Sequence, residues 1–430
     1  MANHSATMIR GLCAALSATL AVLFAGQTAA AAELFSRDTF SGLIDLRAAA
    51  ASGEASWLDG GFGKLRFGGQ NNQLDGHLAL ADAALVWRPR FTWDLGAVID
   101  GEVQRGDSYN ADLIQAYLTY KPVPHGDTRY AARVGLFYPP ISLEHSGPEW
   151  SVTDSITPSA INTWVGEEVK VVGGEGSISH AFGEHQLTAT AAVFGFNDTS
   201  GTLLTFRGWA MHDLKAGANF GYALPPLEQK YLIGQPRETY PLREIDNRVG
   251  YYGKLEWRPP GPVSLSAFYY DNQGNLVGVD KDHQWAWGTR FWNFGATVKL
   301  DDRTQLLSQV MTGETLMGFP KNGHPEWFNV GFTSAYVLVT RNQGRSGFSG
   351  RIDYFETSDR NFNPATDDAD ASWAEKGWAL TGGYHFAITP HAKMFLEVLH
   401  MRSNRASRLE AAIPPKQFQT LVQSSLRLSF

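Results

Sequence analysis

Apolar and polar residues alternate with a period of two along most of the chain beyond residue 40, and the last fourteen residues show this most plainly. One face of that segment carries Phe418, Thr420, Val422, Ser424, Leu426, Leu428 and Phe430. The other face carries Gln417, Gln419, Leu421, Gln423, Ser425, Arg427 and Ser429. Successive side chains of a β-strand point to opposite faces of a sheet, so this period predicts a strand with one mainly apolar and one mainly polar face.

The same period recurs in about sixteen segments, which we predict to be strands. They cover residues 40–48, 79–87, 91–103, 114–120, 130–136, 169–179, 187–196, 248–257, 263–271, 292–300, 305–312, 330–339, 348–355, 378–386, 393–401 and 417–430. The segment from Phe91 to Val103 alternates most regularly. It exceeds the roughly 5–6 residues of a typical globular strand and suits a tilted membrane strand of about 9–11 residues with an overhang.

Three further features favour a membrane barrel over a soluble β-sandwich enzyme or lectin, in which strands also alternate. The strand number is even, and short turns alternate with longer loops, as in outer-membrane barrels. Large aromatic residues lie beside the short turns, namely Trp87, Phe91, Trp93, Tyr120, Tyr130, Trp257, Phe386 and Phe430. The predicted fold class is therefore all-β, a transmembrane antiparallel β-barrel of about 16 strands with long outer loops. The terminal strand, which ends on Phe430, resembles the last strand of bacterial outer-membrane barrels.

The N-terminus predicts export from the cytoplasm. Arg10 is followed by a mostly apolar run, Leu12 to Ala25, and then by small residues that end at Ala32. This is the pattern of a secretory signal peptide, and we expect residues 1–32 to be removed and residues 33–430 to form the barrel. The single cysteine, Cys13, lies within the signal, which excludes a thiol nucleophile or thiolate metal site in the mature chain.

Composition narrows the function further. The chain is 12% aromatic and has 44 glycines, yet its mean hydropathy is only −0.23. After the signal, no stretch approaches the 18 consecutive apolar residues of a spanning helix. The formal net charge of −7 gives no basic excess for binding nucleic acid. We find no nucleophile elbow, HExxH or Walker motif and no metal-ligand spacing among the histidines, so we expect neither catalysis nor a metal or cofactor.

Two connections are long enough to shape the interior or the mouth of such a barrel, residues 138–168 and residues 197–247. The segment from Arg133 to Glu144, with sequence RVGLFYPPISLE, resembles the fifth strand and loop entry of the phosphate-selective porin family. There an arginine-containing strand with a following glycine leads into an aromatic residue, proline and a nearby glutamate. The resemblance implies a sixteen-stranded, trimeric outer-membrane porin whose third outer loop, here 138–168, folds inward as a constriction. This chain lacks a dense row of Lys and Arg residues that could guide anions through the pore. Whether the pore prefers anions or cations therefore stays open.

The charged face of the predicted strands would line the pore, because an Arg or Lys facing lipid at the membrane midplane costs roughly 2–4 kcal/mol. The candidate pore-lining residues are Arg133, Arg47, Arg248, Lys254, Arg351, Asp100 and Glu102 on the wall, and Glu144, Glu149 and Asp154 on the inner loop. One interpretation is that loop acids oppose wall arginines, with Arg133 first, and create a field that selects ions. The alternative is that these charges pair and only hold the loop against the wall.

We therefore expect a bacterial cell outer-membrane porin that passes small hydrophilic solutes or ions through a water-filled channel. Its other contacts would be outer-membrane lipid, lipopolysaccharide and two further copies of itself. A substrate-specific channel or receptor, with segment 197–247 as the ligand-binding element, is the first alternative. A lipase-type barrel enzyme that uses His400 is the second, although no serine partner is identifiable in the sequence.

Overall fold

A computed structural model describes residues 34–430 except 71–72, 106–108, 229–231, 233, 321–322 and 369–370. The predicted signal peptide, residues 1–32, lies outside the described residues. Among the described residues, no helix is both long and apolar enough to cross a membrane.

Sixteen antiparallel strands form a closed barrel, which confirms the predicted strand number and fold class. The first seven are β1 (Phe40–Ser52), β2 (Asp75–Trp87), β3 (Leu95–Arg105), β4 (Tyr109–Tyr120), β5 (Thr128–Phe137), β6 (Val171–Phe182) and β7 (His185–Gly195). The others are β10 (Gly250–Arg258), β11 (Val263–Asp271), β12 (Gly288–Lys299), β13 (Thr304–Met317), β14 (Phe328–Gln343), β15 (Ser346–Asp359), β16 (Glu375–Thr389), β17 (Ala392–Arg405) and β18 (Lys416–Ser429). Two short strands, β8 (Tyr222–Ala223) and β9 (Glu238–Thr239), pair separately. β1 pairs with β18 and closes the barrel.

The strand faces divide as the sequence predicts, with apolar side chains outside. On β18, Phe418 and Val422 are 45% and 48% exposed, whereas Leu421 and Gln423 on the opposite face are 1% and 3% exposed. Several of the predicted aromatics near the short turns are also exposed, namely Trp93, Tyr120, Tyr130, Trp257 and Phe430. An apolar outer band flanked by aromatic side chains is the surface that a lipid bilayer requires.

One predicted strand boundary is wrong. Residues 91–94 continue the alternation but do not belong to β3, which begins at Leu95. The backbone N–H groups of Phe91 and Thr92 both donate to the carbonyl of Leu95, at 2.9 and 3.1 Å, and the Thr92 hydroxyl accepts from the Leu95 N–H. These local bonds make a turn, and such side chain–backbone bonds compete with strand pairing.

The connections at one end of the barrel are short turns, and most of those at the other end are longer. Three of the longer ones matter here, and we number them by their order at that end: L1 (53–74), L3 (138–170) and L4 (196–249). L3 contains helix α1 (Ala160–Glu168), and L4 contains the single turn of helix α2 (Thr202–Phe206). Ser159 caps α1 by accepting the N–H of Asn162.

Apolar side chains inside the barrel form a packed layer with these loops. The ring of Trp164 on α1 lies 6.0 Å from that of Trp209 in L4, 5.3 Å from Phe291 on β12 and 5.2 Å from Phe332 on β14. All four side chains are at most 2% exposed. At the level of Trp164, side chains therefore fill the lumen. We had expected a water-filled channel there.

Candidate functional site in the barrel lumen

L3 is fixed to the wall by a buried ion pair between Glu144 and Arg351 of β15. Glu144 Oε1 lies 3.1 Å from Arg351 Nη1, and the two side chains are 2% and 1% exposed. Glu144 also accepts hydrogen bonds from the backbone and hydroxyl of Ser159 and from the Asn162 amide. Glu144 and Arg351 were both predicted site residues, and the structure pairs them as a loop acid with a wall arginine. The pair is buried away from solvent.

The residues just before α1 make a second attachment to the wall. The carboxylate of Glu397 on β17 accepts the backbone N–H groups of Ile156 and Thr157, at 2.7 and 3.1 Å. Asp353 on β15 accepts the N–H of Ala160 at 3.1 Å, and Gln423 donates to the Thr157 hydroxyl at 2.9 Å. Buried hydrogen-bond donors of L3 are thereby paired, which is a structural role for these wall charges.

Arg133, the first candidate for pairing with an L3 acid, pairs with Glu175 on the neighbouring strand β6. Two guanidinium nitrogens of Arg133 each lie 2.8 Å from a Glu175 oxygen. Its guanidinium carbon lies 4.1 Å from the Phe137 ring centroid, and Tyr252 donates to Glu175 at 2.5 Å. Arg133 therefore belongs to a network within the barrel wall and does not lie opposite a loop carboxylate.

Four other predicted residues are distributed between the lumen and the loop end of the barrel. Lys254 lies 3.5 Å from Glu256 along β10. Arg248 precedes β10 and is exposed, with one nitrogen 3.4 Å from the Gln273 carbonyl. Glu149 is buried in L3, where it accepts from a neighbouring serine hydroxyl. Asp154 is partly buried, and this burial raises its pKa.

Arg47 on β1 pairs with L4 rather than with L3. Arg47 Nη1 and Arg66 Nη1 of L1 each lie 2.7 Å from an oxygen of Asp213. Burial opposes ionisation of Asp213, but the two guanidinium groups hold its pKa well below the ordinary value. The carboxylate of Asp213 is therefore held as an anion between two arginines.

Lys215, two residues further along L4, binds the wall beside β3. Its Nζ lies 2.6 Å from Glu102 and 3.1 Å from Asp82, and it donates to the Glu149 carbonyl at 3.1 Å. The side chain of Gln104 pairs with both the N–H and the carbonyl of Lys215, at 2.8 and 3.1 Å. Burial disfavours the ammonium, but the surrounding carboxylates raise the pKa of Lys215 above its ordinary value.

The wall around Lys215 places three buried carboxyl groups near this single ammonium, namely those of Asp82, Asp100 and Glu102. Asp82 and Glu102 each have one oxygen with a hydrogen-bond partner among the described residues and one without. The two partnered oxygens are those that contact Lys215. Lys170, just before β6, is a further cation in this region, and burial lowers its pKa to about 7.

The end of α1 locks L3 to L4 through two adjacent acids. Glu167 accepts from both terminal nitrogens of Arg207 and lies 2.6 Å from His212 Nε2. Glu168 accepts the N–H of Leu203 at 2.8 Å, at the start of α2. Burial raises the pKa of Glu168 to about 7, whereas the field of Arg207 overcomes burial and lowers that of Glu167 to about 2.

The sequence reasoning missed this part of L4, although a signal for it exists. Residues 202–216 read TLLTFRGWAMHDLKA, and their apolar side chains are buried. A connection that only faces water needs no such run of Leu, Phe, Trp and Met. Four titratable side chains within that apolar segment must also find partners when buried. They are Arg207, His212, Asp213 and Lys215.

A group of L4 carboxylates lies close enough together to hold a metal ion. Oxygens of Asp198, Glu244 and Asp246 are within 4.8 Å of one another. The carboxylates of Asp198 and Glu244 accept backbone N–H groups of Ile245 and Phe196, respectively. These bonds fold the loop, which is a sufficient structural role for the group.

Open volume remains at both ends of the lumen. A cavity of about 350 Å³ at the loop end is lined by Arg66, Asp75, His77 and Arg105, with glycines of L1. A cavity of about 440 Å³ at the short-turn end lies beside Leu143 and is lined by polar and apolar residues of β10–β12 and of the turn after β10. Its charged members are Glu256, Arg258 and Lys299. The two cavities lie on opposite sides of the packed loops.

Comparison with known proteins identifies the fold and not the family. No family model matches the chain, and no curated protein matches it by sequence. The outer membrane channel DcaP of Acinetobacter baumannii is 12% identical with a TM-score of 0.52, and the match covers 93% of this chain and 100% of that chain. An anion-selective porin from Comamonas acidovorans is 11% identical with a TM-score of 0.50, over 91% and 99%. The chain therefore shares the fold of these barrels, while the resemblance to phosphate-selective porins stays a prediction.

Proposed function

We propose that this protein is an outer-membrane channel that passes small hydrophilic solutes down their gradient, and that its lumen selects among them. The observation that carries the proposal is a closed barrel with an apolar outside, inside which L1, L3 and L4 are held by ion pairs. Soluble barrels do not need an apolar exterior band. Wall charges and pore width set selectivity in such channels.

The packed layer favours a narrow, substrate-specific channel over a wide passive one. Trp164 and Trp209 fill the lumen between β12 and β14, so a solute must pass beside or displace the inserted loops. Buried ion pairs suit a displaceable element, because they add less stability than apolar packing of similar volume. Segment 197–247 is then the solute-responsive element, through its residues 202–216.

The setting of the channel belongs to the same proposal. In the bacterial cell outer membrane, the short turns would face the periplasm and the long loops the outside, in contact with lipopolysaccharide. A homotrimer is supported by small side chains on the outer face of β1 and β2, including Ala48 and Gly76. Small residues allow close packing between membrane proteins.

The lipase alternative receives no support from the geometry around His400. His400 lies on β17 with Leu396 and Val398, which are exposed on the outer face. Its Nδ1 lies 2.8 Å from the hydroxyl of Thr420, and its ring stacks with Phe418. A threonine paired across two strands is an ordinary cross-strand contact.

Planar-bilayer recording of the refolded protein tests the proposal. We expect small, infrequent conductance steps, which become larger or more frequent when the contacts of Lys215 are removed. Large, steady steps from the unaltered protein would contradict the narrow lumen. The absence of conductance from both proteins, with the barrel folded by heat-modifiable gel mobility, would overturn the channel function.

A further inference from the structure

We propose that L4 occupies a solute-binding site of the lumen, in which Asp213 and Lys215 stand in for the carboxylate and ammonium groups of a zwitterionic solute such as a short peptide. The inference rests on the proposed channel function and names the substrate class. Asp213 lies between two arginines, and Lys215 lies among wall carboxylates, so the wall offers an anion site and a cation site side by side.

The anion site keeps its shape without Asp213. Arg66 also donates to the carbonyls of Ala81 and Arg105, at 2.7 and 2.8 Å. Arg47 also pairs with Asp45 on its own strand at 2.5 Å. Because these other partners orient both guanidinium groups, the site is preorganised for whichever carboxylate replaces that of Asp213.

The cation site lies on rigid elements and has spare acceptors. Asp82 and Asp100 with Glu102 lie on the paired strands β2 and β3. Oδ1 of Asp82 and Oε2 of Glu102 are buried and lack a hydrogen-bond partner among the described residues. Buried carboxylate oxygens are normally paired, and a ligand ammonium could direct all three of its N–H groups to carboxylates, whereas Lys215 uses one on the Glu149 carbonyl.

The two sites lie close enough together for one short solute. Asp213 and Lys215 are two residues apart in the chain, so their Cα atoms are at most about 7 Å apart, and both side chains border one small cavity. The amino and carboxyl termini of a dipeptide are separated by a similar length of chain. A zwitterion can replace both L4 side chains at once, so no buried wall charge loses its partner during the exchange. A neutral sugar or a singly charged solute would leave the arginines, the carboxylates or both without a partner of opposite charge.

Open space reaches the site from the loop end. Arg66 lines the cavity of about 350 Å³ there and also binds Asp213. A smaller cavity of about 20 Å³ borders both Asp213 and Lys215 and is lined on its other side by Asp82 and Arg427. A solute entering from the loop end would therefore meet one half of the site before L4 moves.

Calorimetric titration of the detergent-purified protein tests the site without a membrane. The probe is dialanine, and the comparison ligands are N-acetyl-dialanine, dialanine amide and glucose. The double variant Asp213→Asn with Lys215→Met removes the competing L4 charges, and we expect it to bind dialanine at least tenfold more tightly than the unaltered protein. The other three ligands should bind at least tenfold more weakly than dialanine.

A matched control carries the same charge changes outside the lumen. Arg243 at the L4 rim pairs with Asp282, and the two side chains are 29% and 41% exposed. Arg243→Met with Asp282→Asn should leave dialanine affinity unchanged. Equal affinity of the folded Asp213/Lys215 variant for all four ligands, or no gain over the unaltered protein, would overturn the proposal.

A disulfide provides a second test that leaves Asp213, Lys215 and their partners on the wall unchanged. A Cβ built on Gly217 would lie 2.8 Å from the Asp112 Cβ on β4, about 1 Å closer than in a disulfide, so after a small shift Gly217→Cys with Asp112→Cys should tie the end of this segment to the wall. The only natural cysteine is Cys13, in the predicted signal. We expect dialanine binding to be lost when the pair is oxidised and recovered on reduction; equal binding in both states would contradict displacement of L4.

The two proposals can fail separately. Dialanine binding without conductance would refute the channel function and leave the binding site. Conductance without charge-dependent binding would refute the binding site and leave the channel function.

Discussion

Lys215 of L4 lies 2.6 Å from Glu102 of β3, although 113 residues separate them along the chain. The contact places a loop cation inside the barrel, against the carboxylates of Asp82 and Glu102 on the wall. It makes L4 part of the lumen rather than an external loop.

Lys215→Met should open the channel. Removing one partner of a buried ion pair costs about 3–5 kcal/mol, because the remaining charges stay buried without compensation. We expect at least a tenfold increase in open probability in planar bilayers. Lys376→Met is the control, since its side chain is 69% exposed and 3.9 Å from its acidic partner; an equal effect of both variants would show that the lumen contact is irrelevant.

Trp164→Ala should loosen the packed layer. Loss of a buried tryptophan typically costs about 3–5 kcal/mol, and here the cavity would face Trp209, Phe291 and Phe332. We expect a larger unit conductance and a lower temperature for the heat-induced gel-mobility shift. Trp292→Ala removes a tryptophan from the outer face, where it is 48% exposed, and should not raise conductance.

The contact between L3 and L4 should weaken as pH rises towards neutrality. Burial raises the pKa of Glu168 from 4.5 to about 7, so the folded contact binds the proton more tightly than the open form does. Its stabilisation is complete below about pH 4.5 and is lost as pH rises through about 7, a change on the order of 3 kcal/mol.

Hydrogen exchange of the α2 amides measures this pH effect. In the unaltered protein, the free energy of local opening should fall between about pH 4.5 and 7. Glu168→Gln keeps an acceptor for Leu203 but removes the titration, so its opening free energy should vary less over that range. Parallel pH profiles for the two proteins would rule out Glu168 as the source.

Arg351→Met should release the first half of L3 from the wall. It leaves Glu144 and Asp353 buried without their cation, again at a cost of about 3–5 kcal/mol. Amides of residues 156–160 should exchange faster. Arg341→Met removes an exposed ion pair with Asp301 and should change exchange there by less than about 0.5 kcal/mol; unchanged exchange in Arg351→Met would mean that Glu397 alone holds the loop.

The barrel itself was predictable from local pattern because, apart from the closing pair β1 and β18, each barrel strand pairs with the barrel strands next to it in sequence. β18 shows this: Phe418 and Val422 lie outside, and Gln423 lies inside, as the period of two requires. The same pattern fails at residues 91–94, where hydrogen bonds to Leu95 decide the conformation and periodicity does not record them.

The lumen was only partly predictable. Glu144 and Arg351 were both candidates and do meet, but Arg133 pairs with Glu175, whose position opposite it depends on the register of β5 with β6. Lys215 was not a candidate. The alternation of apolar and polar residues gives no sign that a loop residue will contact a strand residue 113 positions away.

The sequence by itself determined the strand faces, the strand number and the apolar exterior, since these follow from side-chain alternation and from the cost of charge in lipid. Only the tertiary structure decided what fills the barrel. The ion pairs of Asp213 and Lys215 and the packing of Trp164 bring together distant segments, and their stability depends on burial that exists only once the barrel has closed.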